Sequence, residues 1–308
     1  MRLVFMGTPE FAVPVLEHLV LNDYQVVGVY TQPDRPAGRG RPPLPSPVKE
    51  AALARGLPVF QPERLKSPEV IEQLRGLNPE VISVAALGQI LPPAVLELPP
   101  YRCINVHPSL LPRFRGPSPT AAAILAGEAF TGVSIMLMET GLDTGPILEQ
   151  ASIPIAPWDT TGTLTTKLSQ IAARLLPEAL LFWTRRELVP RPQKEEEATP
   201  SRLIQKEDGA LDWGMPAAEL GRRVRAFQPW PGAYTLYQGK RLELIEAQPV
   251  PEAVARVGEV VALPPGFGVG TGQGVLAVFK VQAEGKKALS SAEFLRVERQ
   301  GIGRRFPS

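Results

Sequence analysis

Hydrophobic positions in the first ~190 residues come in short dense runs separated by stretches of helical length. Leu3-Val4-Phe5-Met6, Val26-Val27-Gly28-Val29-Tyr30-Thr31, Pro58-Val59-Phe60-Gln61 and Val81-Ile82-Ser83-Val84-Ala85-Ala86 are the first four runs. The last is apolar almost throughout, as a strand buried on both faces of a parallel sheet must be. Helix starts fall between the runs. Gly7-Thr8-Pro9-Glu10 offers Thr8 as a cap with Pro9 in the first turn, and Ser46-Pro47 and Ser67-Pro68 repeat that arrangement. A further strand is predicted over Gly132–Met138, and a long amphipathic helix over Thr160–Trp183. Strands alternating with helices predict an α/β domain, Rossmann-like, with a doubly wound parallel sheet. The G-x-G-x-x-G fingerprint is missing, so dinucleotide binding loses its support.

Beyond this the pattern changes. Glu187–Gln205 contains Pro190, Pro192, Pro200 and the run Glu195-Glu196-Glu197, and reads as a linker. Asp212-Trp213 and Leu220–Phe227 are expected to form a helical entry. Short strands are predicted over Ala233–Tyr237, Arg241–Ala247, Gly258–Ala262 and Val275–Gln282, with the alternating glycines of Gly266–Gly274 read as a hairpin turn. Short strands and turns over roughly a hundred residues predict a small OB-like β-barrel, a fold that commonly binds nucleic acid. The expected division is residues 1–188, a linker over 189–205, and 206–308.

Composition adds constraints. The chain has 308 residues, 44% hydrophobic and 21% charged, ordinary values for a globular protein. Net charge is +2, but the balance is uneven: 15 Lys and Arg against 11 Asp and Glu from Ser201 onward, and 18 against 20 before it. A mildly basic carboxyl third is compatible with a nucleic-acid partner. The single cysteine, Cys103, excludes an internal disulfide and a cysteine-cluster metal site, and is expected to pack. No metal is expected. No apolar run approaches the ~20 residues of a membrane span. Met1–Met6 reads as a strand and not a leader, so the cytoplasm is expected.

The richest stretch chemically is Cys103-Ile104-Asn105-Val106-His107-Pro108-Ser109-Leu110-Leu111-Pro112-Arg113-Phe114-Arg115-Gly116-Pro117-Ser118-Pro119. It opens as a strand and breaks at Pro108. Side chains i and i+2 share a face, so Asn105 and His107 point the same way at the carboxyl end, where open parallel sheets bind ligands. The chain has two histidines, and His18 lies in an apolar helical run suited to packing. An Asn carboxamide can donate to a developing oxyanion, typically worth ~3–4 kcal/mol of barrier. The imidazole can stabilise the same charge or take a proton. The best candidate to orient it is Asp143, in the loop Thr140-Gly141-Leu142-Asp143-Thr144-Gly145.

Ile104–Gly116 followed by Gly141-Leu142-Asp143-Thr144-Gly145 resembles the signature of the folate-dependent formyltransferases, which move a formyl group from 10-formyltetrahydrofolate to an amine. The resemblance implies catalytic roles for Asn105, His107 and Asp143. It departs from many relatives at Pro108, at Pro117-Ser118 and at Leu87, where an aromatic is common. The segment after the fourth strand, Gly88, Gln89, Ile90 and Leu91, matches one wall of the family's pterin pocket, and Ser109, Leu110, Leu111 and Pro112 its other side. The Pro- and Gly-rich loop over residues 31–43 suits phosphate through Arg35, Arg39 and Arg41 or is a solvated excursion. Thr31–Gly40, followed by Pro45-Ser46-Pro47-Val48-Lys49, is similar to an insertion found in the branch that formylates methionyl initiator tRNA, where it enters the acceptor stem. Arg225-Ala226-Phe227-Gln228-Pro229-Trp230-Pro231-Gly232 and Gly285-Lys286-Lys287-Ala288-Leu289 resemble the carboxyl domain of that branch. Arg222, Arg223, Lys286 and Lys287 are then expected on tRNA phosphates, with Arg225, Arg304 and Arg305 as further cations. A monomer is expected.

Overall fold

The computed structural model describes residues 1–36, 42–297 and 302–307. The chain forms two compact units. The first holds residues 1–119, 130–154 and 165–201. Its strands are β1 (Arg2–Gly7), β2 (Gln25–Tyr30), β3 (Val59–Phe60), β4 (Val81–Ala85), β5 (Cys103–His107), β6 (Phe130–Leu137) and β7 (Ile147–Pro154). They lie in the order β3-β2-β1-β4-β5-β6-β7. The pairs from β3 to β5 are parallel, and β6 and β7 join antiparallel. Leu3, Val4, Phe5, Met6, Val81 and Ile82 are fully buried, which is why β1 and β4 read as continuous apolar runs.

Helices α1 (Val13–Leu21), α2 (Pro47–Ala54), α3 (Pro68–Gly76) and α4 (Pro93–Leu96) connect the parallel strands. The last three begin on proline, whose fixed φ suits the first helical position and whose missing N–H leaves no donor orphaned there. Ser46 caps α2 by accepting the Lys49 N–H at 3.1 Å. Thr8 does not cap α1. Its hydroxyl donates instead to the Leu87 carbonyl at 3.1 Å, and a 3₁₀ turn over Glu10–Ala12 precedes the helix. Cys103 is buried with its thiol on the Val95 carbonyl, and burial pushes it up to about 12.

The second unit comprises residues 120–129, 155–164 and 202–308. Helices α5 (Pro119–Ala126) and α6 (Thr161–Thr184) begin at or near its edges, and α7 (Ala217–Ala226) lies within it. Strands β8 (Ala233–Tyr237), β9 (Lys240–Val250), β10 (Val260–Leu263), β11 (Gly266–Gly270) and β12 (Val275–Ala283) pair antiparallel in the order β8-β9-β12-β11-β10, and Leu289–Ser290 adds to β12. Among the described residues this ladder is an open path. Two local expectations fail. Gly266–Gly270 is a strand and not a turn, because these glycines let the ladder press against neighbouring backbone: a Cβ at Gly270 would overlap the Arg256 carbonyl. Asp212-Trp213 precedes the helix; Trp213 is fully buried and donates its ring N–H to Thr235.

Candidate active site

Asn105 and His107 share a face of β5, two residues apart. Val84 of β4 pairs with Asn105, so the segment leaving β4 runs beside the same strand end. The β6–β7 connection takes a less direct path. It leaves β6 opposite Ile104, at the beginning of β5, yet carries Asp143 to both side chains. The connection therefore folds back over the face of the sheet that Asn105 and His107 occupy.

The Asn105 Nδ2 donates to Asp143 Oδ1 at 3.3 Å, and His107 Nδ1 lies 3.5 Å from Asp143 Oδ2. On its other side, His107 Nε2 is 3.0 Å from the Phe114 carbonyl. Asp143 Oδ2 also accepts the Gly116 N–H at 2.8 Å. Gly116 has φ +116, and a Cβ there would meet the Ser201 carbonyl, so only glycine permits this approach. Burial lowers the pKa of His107 from its ordinary 6.5, against the opposing pull of the Asp143 charge and the Phe114 carbonyl. A neutral imidazole has one N–H. Geometry assigns it to Nε2, where the hydrogen bond is short, which leaves the Nδ1 lone pair facing Asp143. Two acceptors thus face each other across 3.5 Å with room for one proton.

The loop after β5 is shaped by hydroxyls. Ser109, fully buried, donates to the Arg113 carbonyl at 2.6 Å. Ser134 donates to the Ser109 carbonyl and accepts the Leu111 N–H, while Gln150 donates to both Ser134 and the Leu111 carbonyl. Leu111 is buried, and Leu110 and Pro112 are half-buried. After β4, the Gln89 side chain is occupied by the Leu65 N–H and the Pro62 carbonyl, and Leu91 sits in the core. Gly88 is exposed, and Ile90 is 88% exposed, the one apolar side chain of that segment open to a ligand. The Gln32 side chain packs against Gly88, donating its Nε2 to the Leu87 carbonyl at 3.0 Å.

Arg35 is exposed on a two-rung ribbon in which Arg35–Pro36 pairs with Pro43–Leu44. Asp34 anchors its base, holding Lys49 at 2.6 Å and Gln61 at 2.7 Å. Arg39 and Arg41 lie outside the described residues. In the second unit, Lys286 and Lys287 are exposed and border a cavity of about 510 Å³ that Tyr237, Arg241 and Phe294 also line. Arg222 donates Nε to the Leu125 carbonyl, Arg225 donates to the Asp159 carbonyl, and Arg223 lies over the Phe227 ring. Arg222 and Arg225 thus also serve their own unit's backbone. Arg304 lies over the Tyr237 ring, and the Arg305 main chain pairs antiparallel with that of Glu259. His18 sits in α1 with Nδ1 on the Pro14 carbonyl. Among the described residues no His, Cys, Asp and Glu gather as a metal site, and no helix is long and apolar enough to cross a membrane.

Several groups at the site had no signal in the sequence. Part of the stretch expected to be a linker, residues 191–201, is bonded along the first unit. Ile147 and Arg191 exchange backbone hydrogen bonds, Thr199 accepts the Phe114 N–H, and Ser201 accepts the Ser118 N–H. Gln193 reaches the carbonyls of Asp143 and Gly145.

A mixed sheet whose parallel core brings an Asn, a His and an Asp together at one strand end is suited to carbonyl transfer. The description Formyl transferase matches residues 1–180, and Formyl transferase, C-terminal domain, matches residues 203–299. The chain belongs to the formyl transferase family. It is 48% identical over 307 residues to the methionyl-tRNA formyltransferase of Dehalococcoides mccartyi, covering 98% of this chain and 97% of that protein. The methionyl-tRNA formyltransferase of Chloroflexus aggregans is 48% identical over 298 residues, 96% of each chain. Among solved structures, HypX from Aquifex aeolicus in complex with tetrahydrofolic acid superposes with a TM-score of 0.65 at 21% identity, over 98% of this chain and 48% of that one. The N-formyltransferase from Helicobacter canadensis, in complex with folinic acid and dTDP-3-aminofucose, gives 0.67 at 17% identity, over 92% and 99%. At such identities these two show the fold alone.

Proposed function

We infer that this protein transfers the formyl group of 10-formyltetrahydrofolate to the α-amino group of methionyl initiator tRNA, for the initiation of translation. The observation that carries the reading is the convergence of Asn105, His107 and Asp143 within hydrogen-bonding range at one strand end, in a chain whose full-length relatives carry that activity in their names.

The chemistry follows from the groups. An α-amine has a pKa of ~8, so roughly a tenth of it is already the free nucleophile at pH 7. The protein has to hold amine and formyl carbon together and stabilise the tetrahedral oxyanion. Asn105 uses one N–H on Asp143; we assign its second to the oxyanion. As the new N–C bond forms, the amine loses a proton to the gap between His107 and Asp143. When the bond from carbon to the folate nitrogen breaks, that nitrogen takes a proton and leaves. Neutral His107 suits the first half of this exchange, and a cation shared with Asp143 the second.

Gly88, Gln89, Ile90 and Leu91 on one side, and Ser109, Leu110, Leu111 and Pro112 on the other, are assigned to the folate. Arg35, Arg39, Arg41, Arg222, Arg223, Lys286 and Lys287 are assigned to tRNA phosphates. The division of labour is catalysis in residues 1–188, connection through 189–205, and tRNA binding in 206–308. We place the enzyme in the cytoplasm, where charged tRNA and reduced folate meet, and as a monomer, because one chain supplies the whole catalytic group.

The test is formyl transfer from 10-formyltetrahydrofolate to three acceptors: methionyl initiator tRNA, a nucleotide-linked amino sugar and glycinamide ribonucleotide. Transfer to the tRNA alone is expected. Transfer to a small amine, with the tRNA ignored, would overturn the acceptor. Wild-type turnover after Asp143→Ala would overturn the site.

A further inference from the structure

The connection carrying Asp143 has to double back over the sheet, and Asp143 does so with φ +53. That left-handed conformation costs a residue with a Cβ on the order of 1 kcal/mol. Nothing in the connection's own sequence compels this path. Besides the long bond from Asn105, two outside contacts hold it. One is the Gly116 N–H on the carboxylate. The other comes from fifty residues further along.

Gln193 is half-buried in a stretch whose immediate neighbours, Arg191, Pro192 and Lys194, are exposed. Its Nε2 donates at 2.8 Å to both the Asp143 and the Gly145 carbonyls. Its Oε1 accepts from the Arg115 Nε at 3.0 Å. One carboxamide therefore joins the turn that carries Asp143 to the loop that carries Gly116 and Phe114. Arg115 is 9% exposed, and its remaining partner, Glu195, is 80% exposed, where an ion pair is screened. Gln193 is the better-sheltered of the two holds on that guanidinium.

We propose that Gln193 is a positioning residue for formyl transfer, locking the two loops together so that the Asp143 carboxylate stands against Asn105 and His107. The proposal rests on the role given above to Asp143. It has leverage because His107 Nδ1 and Asp143 Oδ2 already stand 3.5 Å apart, about the widest gap that one transferred proton can bridge as a hydrogen bond. A small outward movement of the turn uncouples the pair without touching either substrate.

The experiment is a cycle of Gln193→Leu and Asp143→Ala, separately and together. It is measured in steady state and, with enzyme in excess, in single turnover. Gln193→Leu is expected to lower kcat on the order of 10²-fold, the penalty for ~1 Å of misplacement. KM for folate and for tRNA should stay within about twofold, since uniform binding is untouched. On the Asp143→Ala background the same substitution should change the single-turnover rate by less than about threefold, because coupled residues are not additive. Lys194→Ala, which removes only a solvent-exposed pair with Glu197, should leave kcat unchanged. Additive losses, a loss carried in KM, or an undiminished kcat would overturn the proposal. Should Gln193→Leu fail to fold, Gln193→Glu keeps the acceptor for Arg115 while removing both N–H groups, and the same outcomes apply. Failure of both to fold would assign Gln193 to the fold and overturn it as well. Normal turnover in Asp143→Ala alone would instead sink the site assignment, whatever Gln193 does.

Discussion

Replacing Asn105 by alanine separates catalysis from architecture. In the resting site its Nδ2 makes one bond, 3.3 Å to Asp143, at the long end of the range. Losing that bond costs about 1 kcal/mol or less of stability. For a domain of ~150–250 residues this lowers Tm by about 2–4 °C. The loss in the transition state is larger, because the donor meets a full oxyanion where water is scarce: about 3–4 kcal/mol, or 10²–10³ in kcat. Asn105→Asp should be worse. It sets a second carboxylate about 3.3 Å from the first, which at an effective dielectric constant of ~20 amounts to ~5 kcal/mol of repulsion. The new pair relieves that by sharing a bound proton, which occupies the place meant for the amine's proton. The assay is single-turnover formylation of methionyl initiator tRNA, with both KM values and Tm measured on the same preparations. Turnover of Asn105→Ala within about tenfold of the parent would refute an oxyanion donor of this size. A loss found wholly in the folate KM would refute it too, and would assign Asn105 to donor binding.

Other outcomes follow from charge and burial. Because burial lowers the folded-state pKa of His107, its contribution to stability is complete above pH 6.5 and is lost as pH falls toward the folded value. Urea unfolding between pH 7.5 and 5.5 should therefore show stability falling toward acid, with up to ~1.4 kcal/mol per pH unit from this one proton. His107→Gln should flatten that slope, and equal slopes would refute the assignment. Lys286→Gln with Lys287→Gln should weaken tRNA binding and reduce its salt slope by roughly one per contact, leaving the folate KM unchanged. Arg39→Ala should raise the KM for tRNA with no change in folate affinity by calorimetry; an unaltered response to tRNA would detach that loop from the acceptor.

The sheet was legible because strands buried on both faces leave a mark that survives without partners: Leu3–Met6 and Val81–Ala85 could be read directly as such strands. The helix starts were legible because Ser-Pro fixes local geometry, as at Ser46 and Ser67. Thr8 misled for the converse reason. A hydroxyl can cap a helix or satisfy a distant carbonyl, and its choice of Leu87 depends on how β1 and β4 pair. Gly266–Gly270 misled because glycine serves turns and close-packed strands alike, and only the neighbouring Arg256 carbonyl decides which. Asn105 and His107 stood out through a strand period and Asp143 through its glycine-flanked loop. The path by which that loop reaches them was invisible, since nothing local in residues 138–146 specifies a return over the sheet.

That asymmetry has a physical cause. The side chains to which we assign catalysis are three, but the groups that hold them are mainly backbone: the Phe114 carbonyl on His107, the Gly116 N–H on Asp143, and the Asp143 and Gly145 carbonyls on Gln193. Backbone groups are the same in every residue, so a sequence records them only where conformation forces a choice, as glycine does at φ +116. Residues 191–201 look like a linker for the same reason. Proline and glutamate dominate the composition there, while the groups that bind are one carboxamide, two hydroxyls and main chain. A site held this way should tolerate many side-chain changes around it, and be sensitive to any that move the main chain of residues 112–118 or 141–145.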